Sequence, residues 1–185
     1  MNDRSAPGRS APPGSVLASI PLPVRMLVYG VGFLGLVLVA LPWVSYQIDR
    51  HVPAVHVEIG PFRVVGVVLF AVSFVLYLAA SYVLTERGKG AYVEFDPPTM
   101  LVVTGPYRYV RNPVVILLLG AMLGEAVALS STGILLMVSL IALLSHRQVT
   151  RLEEPLLRQR YGRAYVEYCA NVPRWIPRGR PWTAP

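Results

Sequence analysis

The sequence predicts an all-α integral membrane protein with about four transmembrane helices, the last two a tight hairpin, plus a C-terminal interfacial amphipathic helix. The first observation is composition: the 185 residues are 54% hydrophobic and only 15% charged, whereas average soluble chains carry roughly 25% charged residues. The second is a set of long runs without charge. The third is that arginines collect at the ends of those runs, as they do at the cytoplasmic ends of membrane helices.

Two runs satisfy the length criterion directly. Met26 to Ile48 has 23 residues without a charge, and Val64 to Thr85 has 22. Each exceeds the roughly 20 residues that an α-helix needs to span a bilayer. We therefore predict helices at about 24–48 and 64–85.

A third apolar run is too long for one crossing. Asn112 to Ser145 has 34 residues and one charge, Glu125. As a single helix it would extend about 51 Å, against a bilayer core of roughly 30 Å. The polar break "SSTG" at 130–133 divides the run, which predicts a hairpin of helices at about 113–129 and 133–150.

The segments outside these runs differ in character. Residues 1–22 are rich in Pro, Gly, Ser and Ala without periodicity, which predicts a disordered cytoplasmic tail. One membrane domain, 23–178, is expected to follow, with a short tail at 179–185. Within it, the segment 155–171 has tyrosines spaced by four and three residues, which predicts an amphipathic interfacial helix with these tyrosines at headgroup depth: Tyr161, Tyr165 and Tyr168.

The net charge of +7 follows membrane topology and gives no indication of nucleic-acid binding. Arginines precede the first predicted helix, lie between the second and third, and are most frequent after the fourth. The positive-inside rule therefore predicts a multi-pass protein with both termini in the cytoplasm. Cys169 is the single cysteine, so neither an intramolecular disulfide nor a cysteine metal site is expected.

Three local patterns have ordinary interpretations. "GVGFLG" at 30–35 matches a dinucleotide-binding pattern but lies inside a predicted helix without a preceding strand, so we expect small residues for close helix packing. Glu125 is an ionisable residue in a membrane segment, yet it lies about 18 Å from the Pro113 end of its helix, and we expect a structural role. His51 and His56, with Asp49 and Glu58, are interpreted as a solvated loop, and no metal site is expected.

The cytoplasmic end of the hairpin is where chemistry is expected. One helix begins with "YRYVRNP" at 107–113, and its partner ends with "SHRQVTRLEEP" at 145–155. Because the two helices form a hairpin, these polar ends are neighbours in space. On a continued helix, Arg147, Arg151 and Glu154 would share one face at spacings of four and three.

"GPYRYVRNP", a hairpin, and then "EEPLLRQRYGRAYVEYCANVPRWIPR" together resemble the isoprenylcysteine carboxyl methyltransferase family and the related phospholipid methyltransferases. The resemblance covers residues 99 to 178. It implies an integral membrane enzyme that uses S-adenosyl-L-methionine, bound at the cytoplasmic membrane surface. The residues it implies for cofactor binding are Leu101, Val102, Val103, Tyr107, Asn112, Pro113, Val115 and Glu153. Val115 stands where family members often have a tyrosine.

The same resemblance, joined to the chemistry, implies the reacting side chains. Arg147 and Arg151 lie where the family has cations near the methyl acceptor. A carboxylate acceptor is already ionised and needs a cation to hold it, a role open to Arg111, Arg147 or Arg151. An amine or thiol acceptor would need a base, and His146 or Glu154 would be the candidates.

The expected activity is methyl transfer to a lipid-borne or hydrophobic acceptor, with a carboxylate preferred. The expected partners are that acceptor and membrane lipids, with no nucleic acid and no obligate protein partner. Two alternatives stay open at this stage: a phospholipid, amine or thiol methyltransferase, and a non-enzymatic membrane protein whose arginines serve only topology or anionic lipid binding.

Overall fold

The computed structural model describes residues 21–51, 59–88 and 99–183, and this part of the chain is helical without a strand, which confirms the predicted fold class. The main elements, in order, are α1 (Leu22–Gly35), a π-helical turn (Leu36–Ala40), α2 (Leu41–His51), α3 (Arg63–Gly88), α4 (Pro113–Ala128), α5 (Thr132–Gln148), a second π-helical turn (Val149–Glu153) and α6 (Glu154–Asn171). The predicted tail at 1–22 lies almost entirely outside the described residues.

Within the described residues, three helical segments are long and apolar enough to cross a membrane: Leu27–His51, Gly60–Gly88 and Thr132–Asn171. The last has 40 residues, about 60 Å, which is twice the thickness of a bilayer core. We therefore assign α5 as its crossing part and place the residues after Gln148 outside the apolar core. Helix α4 has 16 residues, only about 24 Å, so a count of four crossings stays a prediction.

Both π-helical turns lie just before a proline. Pro42 follows the turn that ends at Ala40, and Pro155 follows the turn that ends at Glu153. A proline has no N–H to donate to the carbonyl four residues earlier, and its ring clashes with that carbonyl. A single wider turn relieves the clash without ending the helix.

Helices α3 and α4 approach most closely at two glycines. A Cβ on Gly66 would overlap the backbone of Ala128 and Gly124, and a Cβ on Gly124 would overlap the backbone of Phe70. Small residues permit such backbone contact between membrane helices. By contrast, a Cβ on the glycines of "GVGFLG" at 30–35 would meet nothing within 4 Å, so close packing, the role expected for them, is wrong.

The turn between α4 and α5 is held by Asp49 from the end of α2. Ser131 donates its hydroxyl to Asp49 Oδ2 at 2.5 Å, and the Gly133 N–H bonds Asp49 Oδ1 at 2.9 Å. Ser131 also caps α5 by accepting from the Ile134 N–H at 3.0 Å. Asp49 is therefore a buried capping residue, not part of the solvated loop in which the sequence placed it.

The buried residues of the main core come from the first π-helical turn, α3, α4 and α5. Met122 and Ile134 are its largest fully buried side chains. Glu125, on the same helix as Met122, is half-buried, and its Oε2 has no hydrogen-bond partner among the described residues. His56 and Glu58 lie outside the described residues, and the part that is described contains no group of metal-binding side chains.

The amphipathic segment predicted at 155–171 forms α6, with a kink at Gly162, whose φ of 53° is readily adopted by glycine. The headgroup depth of its tyrosines stays a prediction, but two of them contact protein. Tyr165 and Tyr168 are buried in a second core against Leu101, Val103 and other residues. Helix α6 therefore packs its aromatic face on the segment 101–107, which precedes α4.

Candidate functional site at the inner end of the hairpin

Residues 104–112, called the polar stretch below, form a compact turn before α4. Gly105 has φ +57°, a left-handed conformation that favours glycine, and a 3-10 turn runs from Gly105 to Arg108. Pro113 then begins α4 at a position where the missing N–H costs nothing. This geometry turns Tyr107 inward, where it is 6% exposed, and leaves Tyr109 at the surface.

A C-terminal segment, Val172–Thr183, runs antiparallel to this stretch. Three backbone hydrogen bonds join the two segments: Arg111 N–H to Pro173 O at 2.9 Å, Arg178 N–H to Tyr109 O at 3.0 Å, and Trp182 N–H to Arg108 O at 3.0 Å. The Arg108 side chain returns two further bonds, from Nε to Trp182 O at 2.7 Å and from Nη2 to the Thr183 hydroxyl at 2.8 Å. The C-terminal segment is therefore attached along the whole polar stretch.

Glu154 is the centre of a buried ion cluster. It accepts from Arg111 Nη1 at 2.8 Å and, in a bidentate pair, from Arg174 Nε at 2.6 Å and Nη2 at 2.8 Å. The same Arg111 nitrogen lies 2.9 Å from Cys169 Sγ. The cluster joins three parts of the chain: the start of α4, the start of α6 and the C-terminal segment.

The electrostatics of this cluster keep Glu154 charged. Burial alone raises the pKa of its carboxyl, but the hydrogen bond from Arg174 and the charges of Arg111, Arg174 and Arg158 outweigh burial, so the net pKa lies below the ordinary value. In turn, the hydrogen bond to Glu154 raises the pKa of Arg174. A carboxylate held this way is a poor proton acceptor.

His146 and Trp175 form a second link between the hairpin and the C-terminal segment. The indole N–H of Trp175 donates to His146 Nδ1 at 3.1 Å, and the two ring centroids are 6.0 Å apart. Next to this pair, Asn112 donates from Nδ2 to the Arg174 carbonyl at 3.3 Å. His146 thus belongs to the same network as the start of α4.

The residues implied for cofactor binding fall into two groups. The first lies against α6: Leu101 and Val103 pack on the second core, Val102 is buried, and Tyr107 accepts through its carbonyl from the Tyr168 hydroxyl at 2.6 Å. The second lies at the start of α4, where Pro113 is buried and Asn112 and Val115 are half-buried. The polar stretch connects both groups.

Glu153 is the remaining residue implied for cofactor binding. It precedes Glu154, which contacts Arg111, the residue before Asn112. Glu153 Oε1 accepts from Gln148 Nε2 at 3.2 Å. Burial raises the pKa of the Glu153 carboxyl, and the Glu154 charge adds to that effect, although the bond from Gln148 opposes both.

The expectation that Arg147, Arg151 and Glu154 share one face is wrong, because the second π-helical turn changes the helical phase. The Glu154 N–H bonds the Val149 carbonyl five residues earlier, and both residues are buried. Arg147 and Arg151 are exposed instead. The structure therefore groups Glu154 with Arg111 and leaves the other two arginines open to a ligand.

Three residues of the network were not predicted as site residues from the sequence: Arg174, Trp175 and Cys169. All lie within the long C-terminal motif that carries the family resemblance. The signal was present in "VPRWIP", where a cation and an aromatic residue stand between two prolines. Their partners lie 20 to 58 residues away in sequence, beyond the reach of helical periodicity.

An apolar groove of about 330 Å³ opens beside the polar network. Its walls come from α3 near Ala80, from α4 near Ile116, from the polar stretch at 106–110, and from Pro177. It places an apolar surface next to Tyr109 and Pro113. A ligand with a polar head and a hydrophobic chain fits such a boundary.

An all-helical fold with helices long and apolar enough to cross a membrane, and with a polar network at one end of a hairpin, defines a class of integral membrane proteins. The phospholipid methyltransferase family matches residues 62–164, more than half of the chain. The chain therefore belongs to this family of membrane methyltransferases, which confirms the resemblance seen in the sequence. Neither the curated proteins nor the solved structures include a match to the chain.

Proposed function

We propose that this membrane methyltransferase takes its methyl group from S-adenosyl-L-methionine and transfers it to a carboxylate on a hydrophobic or lipid-borne acceptor. The observation that carries the proposal is the meeting of two environments at the inner end of the hairpin. A charged network of Arg111, Glu154 and Arg174 adjoins an apolar groove of about 330 Å³. A water-soluble cofactor and a membrane-bound acceptor would meet at such a place.

The side chains present fit the chemical groups of the cofactor. S-adenosyl-L-methionine supplies an electrophilic methyl group on a sulfonium and carries hydroxyl and amino groups that need acceptors. Glu153 offers a half-buried carboxylate for those groups, and only Gln148 donates to it among the described residues. The half-buried apolar side chains of Leu101 and Val103, which pack against the second core, offer surface for a flat base.

The acceptor carboxylate would be held by exposed cations. Arg147 and Arg151 are both exposed; Arg147 lies in the last turn of α5, and Arg151 lies in the π-helical turn that follows it. A guanidinium binds a carboxylate through two parallel hydrogen bonds, and fixing the attacking oxygen in line supplies much of the rate of a displacement. Arg111 is already committed to Glu154, so we assign it to the cluster that shapes the site.

A carboxylate is preferred over an amine or a thiol because Glu154, one of the two bases expected from the sequence, is occupied by two arginines. Glu154 is ion-paired with Arg111 and Arg174 and has a lowered pKa. An amine or thiol would have to lose a proton to a base at some stage, whereas a carboxylate attacks as it stands. The phospholipid methyltransferase name of the family favours a headgroup amine as the second candidate.

Calorimetry on detergent-purified protein tests cofactor binding. Losing a hydrogen bond to a charged group costs about 1.5–3 kcal/mol, so Glu153→Ala should weaken S-adenosyl-L-methionine binding roughly 10- to 150-fold. Glu167→Ala is the matched control, because Glu167 is exposed on α6. Absence of binding by the unaltered protein would support a non-enzymatic membrane protein instead.

The chemistry of the product identifies the acceptor. Membranes incubated with methyl-labelled cofactor should yield a label that dilute alkali releases as methanol, because a methyl ester is base-labile. Label that survives alkali on a lipid amine or thiol would favour the second candidate. We place this site at the cytoplasmic face, so a cysteine introduced at position 160 should react only with a membrane-permeant reagent in intact cells.

A further inference from the structure

We propose that Trp175 is a positioning residue that fixes the proton of His146 on Nε2 and thereby makes His146 a hydrogen-bond donor to an anionic acceptor, not a base. The inference deepens the proposed function and rests on it, because it concerns the acceptor of that same site. It starts from one contact, the 3.1 Å bond between Trp175 Nε1 and His146 Nδ1.

The direction of this bond is settled by chemistry. An indole nitrogen carries a hydrogen and can only donate. Nδ1 of His146 must therefore present its lone pair, and a neutral imidazole then carries its single proton on Nε2. The nitrogen that remains for a ligand is an N–H donor.

The surroundings of Trp175 make this bond a fixed feature. Its neighbour Arg174 holds Glu154 through two hydrogen bonds of 2.6 and 2.8 Å, and the Arg174 carbonyl accepts from Asn112. The indole is half-buried, whereas the imidazole is exposed. The C-terminal segment thus holds the indole in place, and the free side of His146 faces the surroundings.

The consequence separates acceptor classes. As a base, His146 would need an unprotonated nitrogen facing the acceptor, and Nδ1 is occupied by Trp175. As a donor, His146 would supply Nε2–H to a carboxylate oxygen of the acceptor. Methyl transfer then needs no proton movement: the carboxylate oxygen forms the new C–O bond, and the sulfonium sulfur leaves with the electron pair of the old C–S bond.

Nitrogen NMR on protein labelled at histidine in detergent reads the proton position without any activity. The expected spectrum has His146 with an unprotonated Nδ1 and a protonated Nε2, assigned by the signal that disappears in His146→Gln. Trp175→Phe keeps an aromatic ring but removes the donor, and it should give a mixture of both tautomers. A protonated Nδ1 in the unaltered protein would overturn the proposal.

Kinetics with decanoate, decylamine and decanethiol, which share one chain length, read the role of the free N–H. Glutamine donates a hydrogen bond but cannot act as a base, so His146→Gln should stay within a few-fold of the unaltered protein on decanoate. His146→Ala should raise the KM for decanoate roughly tenfold or more with a smaller effect on kcat. Equal loss of kcat in both variants would overturn the donor role.

Different results would reject the donor role of His146 and the proposed methyltransferase function. Methyl transfer to decylamine or decanethiol and none to decanoate would reject the donor role while leaving a methyltransferase. No transfer to any acceptor and no cofactor binding would reject the proposed function, and the NMR result would still decide the tautomer. His146 is exposed, so its variants are expected to fold even if Trp175→Phe does not.

Discussion

Replacing Glu154 by glutamine tests whether this residue holds the site together or acts on the acceptor. The substitution keeps the shape of the side chain and removes its charge. In the structure, Glu154 is 5% exposed and accepts three hydrogen bonds from two arginines. The variant would leave both guanidinium groups without a counter-charge and would turn an amide NH2 toward one of them.

The expected cost follows from burial. Three charge-assisted bonds at about 1.5–3 kcal/mol each share one carboxylate and do not add. Removing one partner of a buried ion pair costs about 3–5 kcal/mol. The Arg174 side chain is 30% exposed and can be partly solvated, so we expect the lower part of this range, about 3 kcal/mol.

The assay is thermal unfolding of the detergent-purified protein. For a chain of this size, each kcal/mol shifts Tm by about 2–4 °C, so Glu154→Gln should lower Tm by roughly 6–12 °C. Glu167→Gln on the exposed side of α6 should stay within about 0.5 kcal/mol of the unaltered protein. A Glu154→Gln variant that unfolds like the control yet loses turnover would show that Glu154 acts on the reactants, as the sequence suggested.

Acidification gives an independent reading of the same cluster. The pKa of Glu154 is lowered in the folded protein, so its contribution to stability is present above the unfolded pKa of about 4.3. It is lost as the pH falls through the lower, folded value. The difference in Tm between the unaltered protein and Glu154→Gln should therefore shrink as the pH drops below about 4.

Three further outcomes are expected. Gly66→Ala would push a Cβ into the backbone of Ala128 and should cost about 1–3 kcal/mol in thermal unfolding. An unchanged Tm would show that α3 and α4 can separate freely. Asp49→Ala removes the acceptor of the Ser131 hydroxyl and should cost about 1–3 kcal/mol in the same thermal unfolding assay. An unchanged Tm would contradict this role of Asp49. Glu125→Gln should keep S-adenosyl-L-methionine affinity within a few-fold by calorimetry, and complete loss of binding by a folded variant would show that Glu125 belongs to the site.

The helices were predictable because their signals are local. Charge-free length alone placed the second helix at 64–85, and the structure has Arg63–Gly88. Pro113 marked the start of α4, and the polar break "SSTG" marked its end, so the predicted 113–129 differs from the observed helix by one residue. Such patterns depend only on what a bilayer and a proline ring require.

The arrangement of the site was less predictable because it depends on contacts between distant residues. Glu154 lies on a different helix face from the one expected, because Pro155 imposes a wider turn on the helix before it. Likewise, nothing local indicates that Arg174 pairs with Glu154, 20 residues away, or that Trp182 returns to Arg108, 74 residues away. The motifs indicated which segments to compare, and only the folded chain assigns contacts between them.

The attachment of the C-terminal segment to the polar stretch has a consequence for biosynthesis. Arg108 is translated 74 residues before the Trp182 carbonyl that it will bind, a delay of roughly 4–15 s at about 5–20 residues per second. During that interval the start of α4 lacks its C-terminal partner. The hydrogen bonds that join Arg108 to the C-terminal segment can therefore form only at the end of synthesis of these residues.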